Sequence, residues 1–207
     1  MDRTYVSKAT LGRLPLYLNY IRSHDLGESI SSTRIAKALG LGEVQVRKDL
    51  AAVCSKGRPK VGYERGVLIK AIEDALGTRD VTRVILVGAG KLGKALLGYD
   101  GFREYGVDIV AGFDSDPGKT GIQPDGKLVY RVDELADFCR DKGIHIGVLT
   151  VPGSSAQTAA DGMIAAGIDT IWSFSPADIS VPDGVLLRKE NLALGLAHLV
   201  LSARTDR

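Results

Sequence analysis

Cysteine is nearly missing from this chain: Cys54 and Cys139 are the only two in 207 residues. They are too few for a disulfide framework and too far apart for a thiolate metal motif, so they read as packed thiols. Histidine is almost as scarce, and His24, His145 and His198 have no metal-ligand spacing with one another or with the cysteines. No apolar run reaches the ~18 residues of a membrane span. The opening segment "MDRTYVSKATLGRLP" has no apolar core of signal-peptide type. A cytoplasmic protein without a metal site is expected. Catalytic groupings are missing as well: there is no Tyr-x-x-x-Lys pair, and no histidine is signalled with a carboxylate as an acid–base dyad. This pattern argues against an enzyme.

What is present is ordinary globular material, 44 % apolar and 25 % charged, enough for one or two domains. The net charge of +2 hides an asymmetry. Residues 1–78 carry thirteen Lys and Arg against eight Asp and Glu, a balance of +5, while the remainder stands at −3. The excess is densest over residues 34–65, where Arg34, Lys37, Arg47, Lys48, Lys56, Arg58, Lys60 and Arg65 face three acids. A local cationic surplus of this kind suits a polyanionic partner.

Leu14, Leu18 and Ile21 recur at helical spacing from about Thr10, with Pro15 in the first turn or at a kink. "HDLGES" reads as a turn. Ser32 or Thr33 then caps a short helix bearing Ile35, Ala36 and Leu39, which Gly40-Leu41-Gly42 breaks. A second helix follows, with Val46, Leu50 and Val53 facing inward. Two short helices around a glycine turn make a helix-turn-helix, whose second helix enters the DNA major groove. Burying Val46 and Leu50 points Gln45, Arg47 and Lys48 outward. Arg and Lys suit guanine or phosphate, and Gln suits adenine. "SKGRPKVGYERGVL" reads as a basic hairpin, or wing, with Val61 and Tyr63 alternating and Arg58 and Lys60 placed for phosphate or the minor groove. The expected DNA-facing set is therefore Gln45, Arg47, Lys48, Arg58, Lys60 and Tyr63. Residues 67–78 form a helix that closes this domain at Gly77.

Arg83 to Val87 reads as a buried strand, followed by Gly88-Ala89-Gly90-Lys91-Leu92-Gly93, a G-x-G-x-x-G turn leading into a helix. Gly88 permits the turn, Gly90 lets backbone approach a pyrophosphate, and Gly93 lets helix and strand pack closely. The amides at the helix start suit phosphate. "VDIVAGFDSDP" is a second strand ending in acids. Asp114, 26 positions after Gly88, or else Asp116, is placed to accept from ribose hydroxyls and to favour NAD(H) over NADP(H). "VDELADFCRDKG" and "SSAQTAADGMIAAG" read as helices, and "IHIGVLTVP" and "IDTIWSFSP" as strands. This alternation predicts a parallel sheet with helices on both faces. Thr150-Val151-Pro152 and Phe174-Ser175-Pro176, at strand ends, would line the ligand crevice. Tyr99 and Phe102 read by default as core aromatics. The tail "KENLALGLAHLVLSAR" is a helix apolar on several sides, which suggests burial between subunits.

"QVRKDL", "VGY", "LVGAGKLGKALLGYDGF", "GFDSDPGKTG", "LTVP" with "AQTAADGMIAAGI", "SFSPADISVP" and "NLALGLAHL", in this order across essentially the whole chain, resemble the redox-sensing transcriptional repressor family Rex. The resemblance implies a winged-helix DNA-binding domain (1–78), a Rossmann-type doubly wound α/β domain (79–187) and a C-terminal helix (188–207) exchanged between protomers of a homodimer. It implies operator DNA as partner, NADH and NAD⁺ as ligands, and release from DNA when NADH binds. It also places Tyr99 near the nicotinamide, beside the expected dinucleotide residues Gly88, Ala89, Gly90, Lys91, Leu92, Gly93, Asp114, Thr150, Val151 and Pro152. The chain departs from the family pattern at Asn19 and Ala193, where an Arg and an Asp take part in redox switching, so that ion pair cannot form here. It departs also at Pro59-Lys60 in the wing and at Cys54, where a glycine is common. These changes bear on the strength of the NADH/NAD⁺ response. Two other readings stay open at this point: a small NAD-dependent oxidoreductase, and a CoA- or nucleotide-binding regulatory module.

Overall fold

In the computed structural model, which describes residues 6–25, 27–58, 61–77, 81–123 and 126–205, the chain divides into two units, one ending at Val81 and the other beginning at Thr82. The first unit is built from α1 (Lys8–Ser23), β1 (Ser29–Ile30), α2 (Ser32–Leu39), α3 (Glu43–Val53), β2 (Tyr63–Glu64) and α4 (Arg65–Leu76). Each helix contributes an apolar stripe to one core: Leu14, Leu18 and Ile21 from α1, Ile35 and Ala36 from α2, Val46 and Leu50 from α3, and Leu68 and Ile72 from α4. Burial of side chains of this size stabilises a fold by about 1.5–3 kcal/mol each, and this shared stripe is what makes four short helices one unit.

Local chemistry sets the element ends. Ser7 caps α1, accepting from the Thr10 amide at 3.1 Å, and Pro15 lies inside that helix. The cap of α2 is Ser31, whose hydroxyl accepts from the Arg34 amide at 3.1 Å. This corrects the expectation of Ser32 or Thr33, both of which lie within the helix. Gly40 ends α2 in the left-handed region, and Gly77 ends α4 in the same way. The wing also differs from expectation. Among the described residues its hairpin closes through one bridge, Arg58 with Gly62, and its last strand, β2, pairs antiparallel with β1, Ile30 opposite Tyr63.

The second unit carries a seven-stranded sheet among the described residues, built from β3 (Thr82–Val87), β4 (Val107–Asp114), β5 (Gly121–Ile122), β6 (Leu128–Arg131), β7 (Ile146–Leu149), β8 (Thr170–Ser173) and β9 (Leu186–Lys189). The order is β5-β6-β4-β3-β7-β8-β9, parallel throughout except for β5. Helices α5 (Lys91–Leu97), α6 (Leu135–Lys142) and α7 (Ala156–Ala165) cover it, and α8 (Leu192–Thr205) follows the last strand. Alternation along β3 divides the two faces. Ile85 and Val87 pack with Leu135, Cys139, Ala160 and Met163, while Val84 and Leu86 pack with Leu97 and Val129. A sheet covered on both faces is the doubly wound arrangement. Strands β5, β6 and β9 add to the expected sheet, and residues 188–189 belong to β9 rather than to the terminal helix expected from residue 188. Cys54 and Cys139 are both free and buried.

Candidate nucleic-acid interface and dinucleotide site

Helix α3 turns Val46 and Leu50 into the core and leaves Gln45, Arg47 and Lys48 exposed, so three hydrogen-bonding side chains share its outer surface. Arg58 is exposed at the wing bridge. Lys60 lies outside the described residues. Tyr63 does not join this set. It is buried in the first unit's core, because pairing of β2 with β1 turns its ring inward. Burial, and next the neighbouring Cys54, pushes its phenol above the ordinary range.

Sequence reasoning assigned no role to Asp49, the one carboxylate on α3's inner side. It is 4 % exposed. Four donors from α1 converge on it: Thr10 Oγ1 at 2.9 Å, Arg13 Nε and Nη2 at 2.8 Å each, and Tyr17 Oη at 2.8 Å. Burial works to raise the Asp49 pKa, but the hydrogen bonds from Arg13, Tyr17 and Thr10 outweigh it and hold the carboxyl below the usual carboxylate range. The same network raises Arg13, chiefly through its bond to Asp49. Tyr17 is pushed up to about 12, first by burial and then by Asp49. The network fixes the pose of α3 against α1 through a charge-assisted, bidentate pair. The signal in the sequence was an acid at an inward position, three residues after Val46.

In the second unit the glycine turn joins β3 to α5. Gly88 has φ of 103°, and a Cβ there would stand 2.8 Å from Val151 and 2.9 Å from the Thr150 backbone. A Cβ at Gly93 would stand 1.9 Å from the Gly88 carbonyl oxygen. At Gly90 it would meet nothing within 4 Å. Two of the glycines are therefore demanded by the protein's own packing, and the third keeps open a face that backbone can present to a phosphate. Lys91 and Leu92 are exposed beside it, and Ala89 is buried. Thr150 Oγ1 donates to the Gly88 carbonyl at 2.7 Å, tying the end of β7 to the turn. Val151 is half-buried and Pro152 exposed.

Asp114 ends β4 with both carboxylate oxygens engaged by protein donors. Oδ2 accepts from the Ala89 amide at 2.7 Å, Oδ1 accepts from the Asp116 amide at 2.9 Å, and Lys119 Nζ lies 3.3 Å from both. The carboxylate expected to be free for a ribose is thus first a clasp on the glycine turn, with a lysine balancing its charge. Asp116, the alternative, is exposed and accepts from the Gly118 amide at 2.9 Å. A cavity of about 330 Å³ opens between the strand ends, lined by Gly88, Asp114, Ser115, Val132, Val151 and Thr158 among others. Val87, Val132, Val151 and Ala159 give it apolar walls, and Asp114, Ser115 and Thr158 stand among its polar groups, the composition of a small-ligand site. Tyr99 corrects the core default: it is 58 % exposed, with its ring edge-on to Phe102 at 5.1 Å.

Along α8, Leu192, Leu194, Leu196 and Leu199 are all more than half exposed. Among the described residues no helix is long and apolar enough to cross a membrane, and no cluster of His, Cys, Asp and Glu is placed to hold a metal ion.

Comparison with known proteins covers both units. Residues 5–51 match the family model "Putative DNA-binding protein N-terminus", and residues 79–177 match "CoA binding domain". The "Redox-sensing transcriptional repressor Rex" of Porphyromonas gingivalis is 43 % identical over 196 residues, 94 % of this chain and 90 % of that protein. Its namesake in Treponema denticola is 43 % identical over 197 residues, 94 % of each chain. Among solved structures, RSP in complex with β-NAD⁺ and operator DNA superposes with a TM-score of 0.84 at 32 % identity, over 98 % of this chain and 94 % of that one. RSP in complex with β-NADH gives 0.81 at 32 % identity, over 97 % and 95 %. RSP is described as a Rex-family repressor.

Proposed function

The chain belongs to the Rex family of redox-sensing transcriptional repressors, and from that premise we propose that it binds operator DNA through α3 and the wing and is released when NADH occupies its second unit. The observation that carries the reading is the pairing, in one polypeptide, of an α3 whose Gln45, Arg47 and Lys48 face solvent with a glycine turn whose Gly90 has open space where Gly88 and Gly93 have none. The first is a recognition helix with its cations outward. The second is a phosphate cradle, and the cavity beyond it accepts the adenosine end of a dinucleotide.

The residues present fit NAD(H). Gly90 and the following amides of Lys91 and Leu92 hold the pyrophosphate. Asp114 keeps the turn in shape from beneath, through Ala89. Val132 and Val151 flank the base, and exposed Tyr99 stands on the nicotinamide side. Bound dinucleotide acts here as a signal, not as a hydride reagent. It changes operator affinity only by binding the released and DNA-bound conformations unequally, and a coupling of ~1–3 kcal/mol changes affinity about 5–150-fold. The apolar surface of α8 is buried in a homodimer, against a second copy of the chain, and a two-fold dimer reads a two-fold operator. The protein works in the cytoplasm, on the DNA it regulates.

The test is a gel-shift titration on the DNA upstream of the protein's own gene, with NADH and NAD⁺ added separately. NADH should abolish the shifted band at concentrations where NAD⁺ leaves it. A band indifferent to saturating NADH leaves a constitutive DNA binder and removes the sensing role. The absorbance of NADH incubated with the purified protein should stay constant; turnover would restore the oxidoreductase reading. Displacement of NADH by acyl-CoA at lower concentration would favour a CoA-type ligand for the same cavity.

A further inference from the structure

We infer that Arg13 locks the side-chain amide of Gln45 with its nitrogen outward, making it a donor-only reading group that selects guanine over adenine at the operator base it faces. The inference rests on the operator-binding reading above and deepens it. Gln45 is the third residue of α3, in the half of a recognition helix that meets base edges, and it is exposed. A glutamine amide has a donor end and an acceptor end, and the hydrogen-bond partners decide which way it lies. With Oε1 turned toward Arg13, it accepts from Nη1 at 3.1 Å; Nε stands 2.9 Å away with its one hydrogen committed to Asp49. The opposite orientation would set the amide nitrogen against guanidinium donors.

Arg13 is not free to move aside. Its Nε and Nη2 are bound to Asp49 at 2.8 Å each, and Thr10 and Tyr17 hold the same carboxylate from α1. The charged donor that captures Oε1 is therefore fixed, and the Gln45 Nε2 group faces away with two N–H donors. Adenine's major-groove edge presents an acceptor at N7 and a donor at N6, so a bidentate glutamine must offer both of its ends. Guanine presents two acceptors, O6 and N7, and these match a group that can only donate. The ordinary expectation of glutamine with adenine is reversed by a side chain that belongs to another helix. Arg13 acts as a positioning residue.

The experiment is selection of binding sites from a randomised duplex library by the full chain without NADH, using wild type, Gln45→Ala, Gln45→Glu and Arg13→Lys. Gln45→Ala identifies the half-site position that depends on this side chain. There wild type should take guanine over adenine by about tenfold or more. Gln45→Glu keeps the tie to Arg13 but presents an acceptor, and should exchange guanine for adenine or cytosine, the bases with an exocyclic amino donor. Arg13→Lys frees the amide and should admit adenine beside guanine. A wild-type preference for adenine at that position, a Gln45→Glu variant that still takes guanine, or a folded Arg13→Lys variant with an unchanged guanine-to-adenine ratio overturns the inference while leaving operator binding intact. Gln45→Glu lies on the surface and decides the matter even if Arg13→Lys fails to fold. Failure of wild type to enrich any sequence would overturn the operator reading, and this inference with it.

Discussion

Asp49 and Asp114 are both buried carboxylates, and each holds the working element of its unit, but by different means. Asp49 sits on α3 itself and is gripped by side chains of α1, from Thr10, Arg13 and Tyr17. Asp114 sits at the end of β4 and grips backbone, the amide of Ala89 inside the glycine turn. A reading helix has to present side chains, so its support comes from other side chains behind it. A phosphate cradle has to present backbone, so its support is a carboxylate that fixes backbone. The first kind of support depends on residue identity at several distant positions. The second depends mainly on the glycines that allow the turn to form.

The sharpest way to break this contrast is within the turn. Gly93→Ala places a Cβ 1.9 Å from the Gly88 carbonyl, a backbone atom that cannot yield without moving the turn. Urea unfolding of the full chain should show a loss above ~4 kcal/mol, in the exceptional range for one substitution, together with loss of NADH binding. At Gly90 an added Cβ meets nothing within 4 Å, and Gly90→Val should change stability by less than ~0.5 kcal/mol while still abolishing NADH binding and sparing operator binding. Equal destabilisation by the two would remove the assignment of Gly90 to the phosphate face.

Next in size is Asp49→Ala. It strands a buried Tyr17 hydroxyl and takes from the Arg13 guanidinium its bidentate partner, leaving Thr10 with Ser7, and should cost about 2–4 kcal/mol of unfolding free energy. Operator affinity should fall and NADH affinity should hold. Asp114→Ala should show the reverse selectivity: weaker NADH binding by fluorescence titration, with operator affinity intact. If either variant disturbs both ligands' affinities equally with the fold intact, the division of labour between the two carboxylates is wrong.

The same contrast explains what the sequence made legible. The glycine turn announced itself because backbone demands are written as glycines at fixed spacing, after a β-branched strand. The α3 surface followed from burying Val46 and Leu50, and the parallel sheet followed from alternating strand and helix segments. Asp49 shows no role within "QVRKDL", because its partners lie 32 to 39 residues earlier. The clasp of Asp114 on Ala89 spans 25 residues and was equally hidden. Val61 and Tyr63, two positions apart, would share one face of a strand, but Val61 lies in the turn and is exposed while Tyr63, opposite Ile30 on β1, is buried, and that pairing is not written in the local pattern. Strands β6 and β9 are four residues each and mostly exposed or half-exposed, so neither carries enough pattern to be distinguished from a loop.

A smaller effect separates reading from support within the first unit. Arg47→Ala removes an exposed cation from α3 that neither core nor Asp49 network uses. It should leave stability and NADH affinity unchanged and weaken operator binding by about 1–3 kcal/mol if Arg47 meets a base edge. If it meets a phosphate instead, the loss should be uniform across sequences, with a shallower salt dependence. A destabilised Arg47→Ala would blur the separation between the surface that reads and the network that supports it.

The smallest expected effect is the pH dependence of that network, and it has two limbs of opposite origin. Asp49 has a folded-state pKa below its unfolded value, so its contribution is present above the unfolded carboxyl value of about 3.9. That contribution is lost as pH falls through the lower folded value. Tyr17 is raised to about 12, so its contribution is complete below the unfolded phenol value of about 10 and is lost as pH rises from there through the folded value. Stability of the first unit should therefore fall in acid as Asp49 takes up a proton and in alkali as Tyr17 gives one up. Asp49→Asn removes the acid limb outright and weakens the alkaline one, since Asp49 is, after burial, the next cause of the Tyr17 shift. Plotted as a difference between wild type and Asp49→Asn in urea unfolding, the gap should be widest at neutral pH and narrow below about pH 4. A gap that stays constant into acid would mean that the carboxylate's charge does not contribute to holding α3 in place.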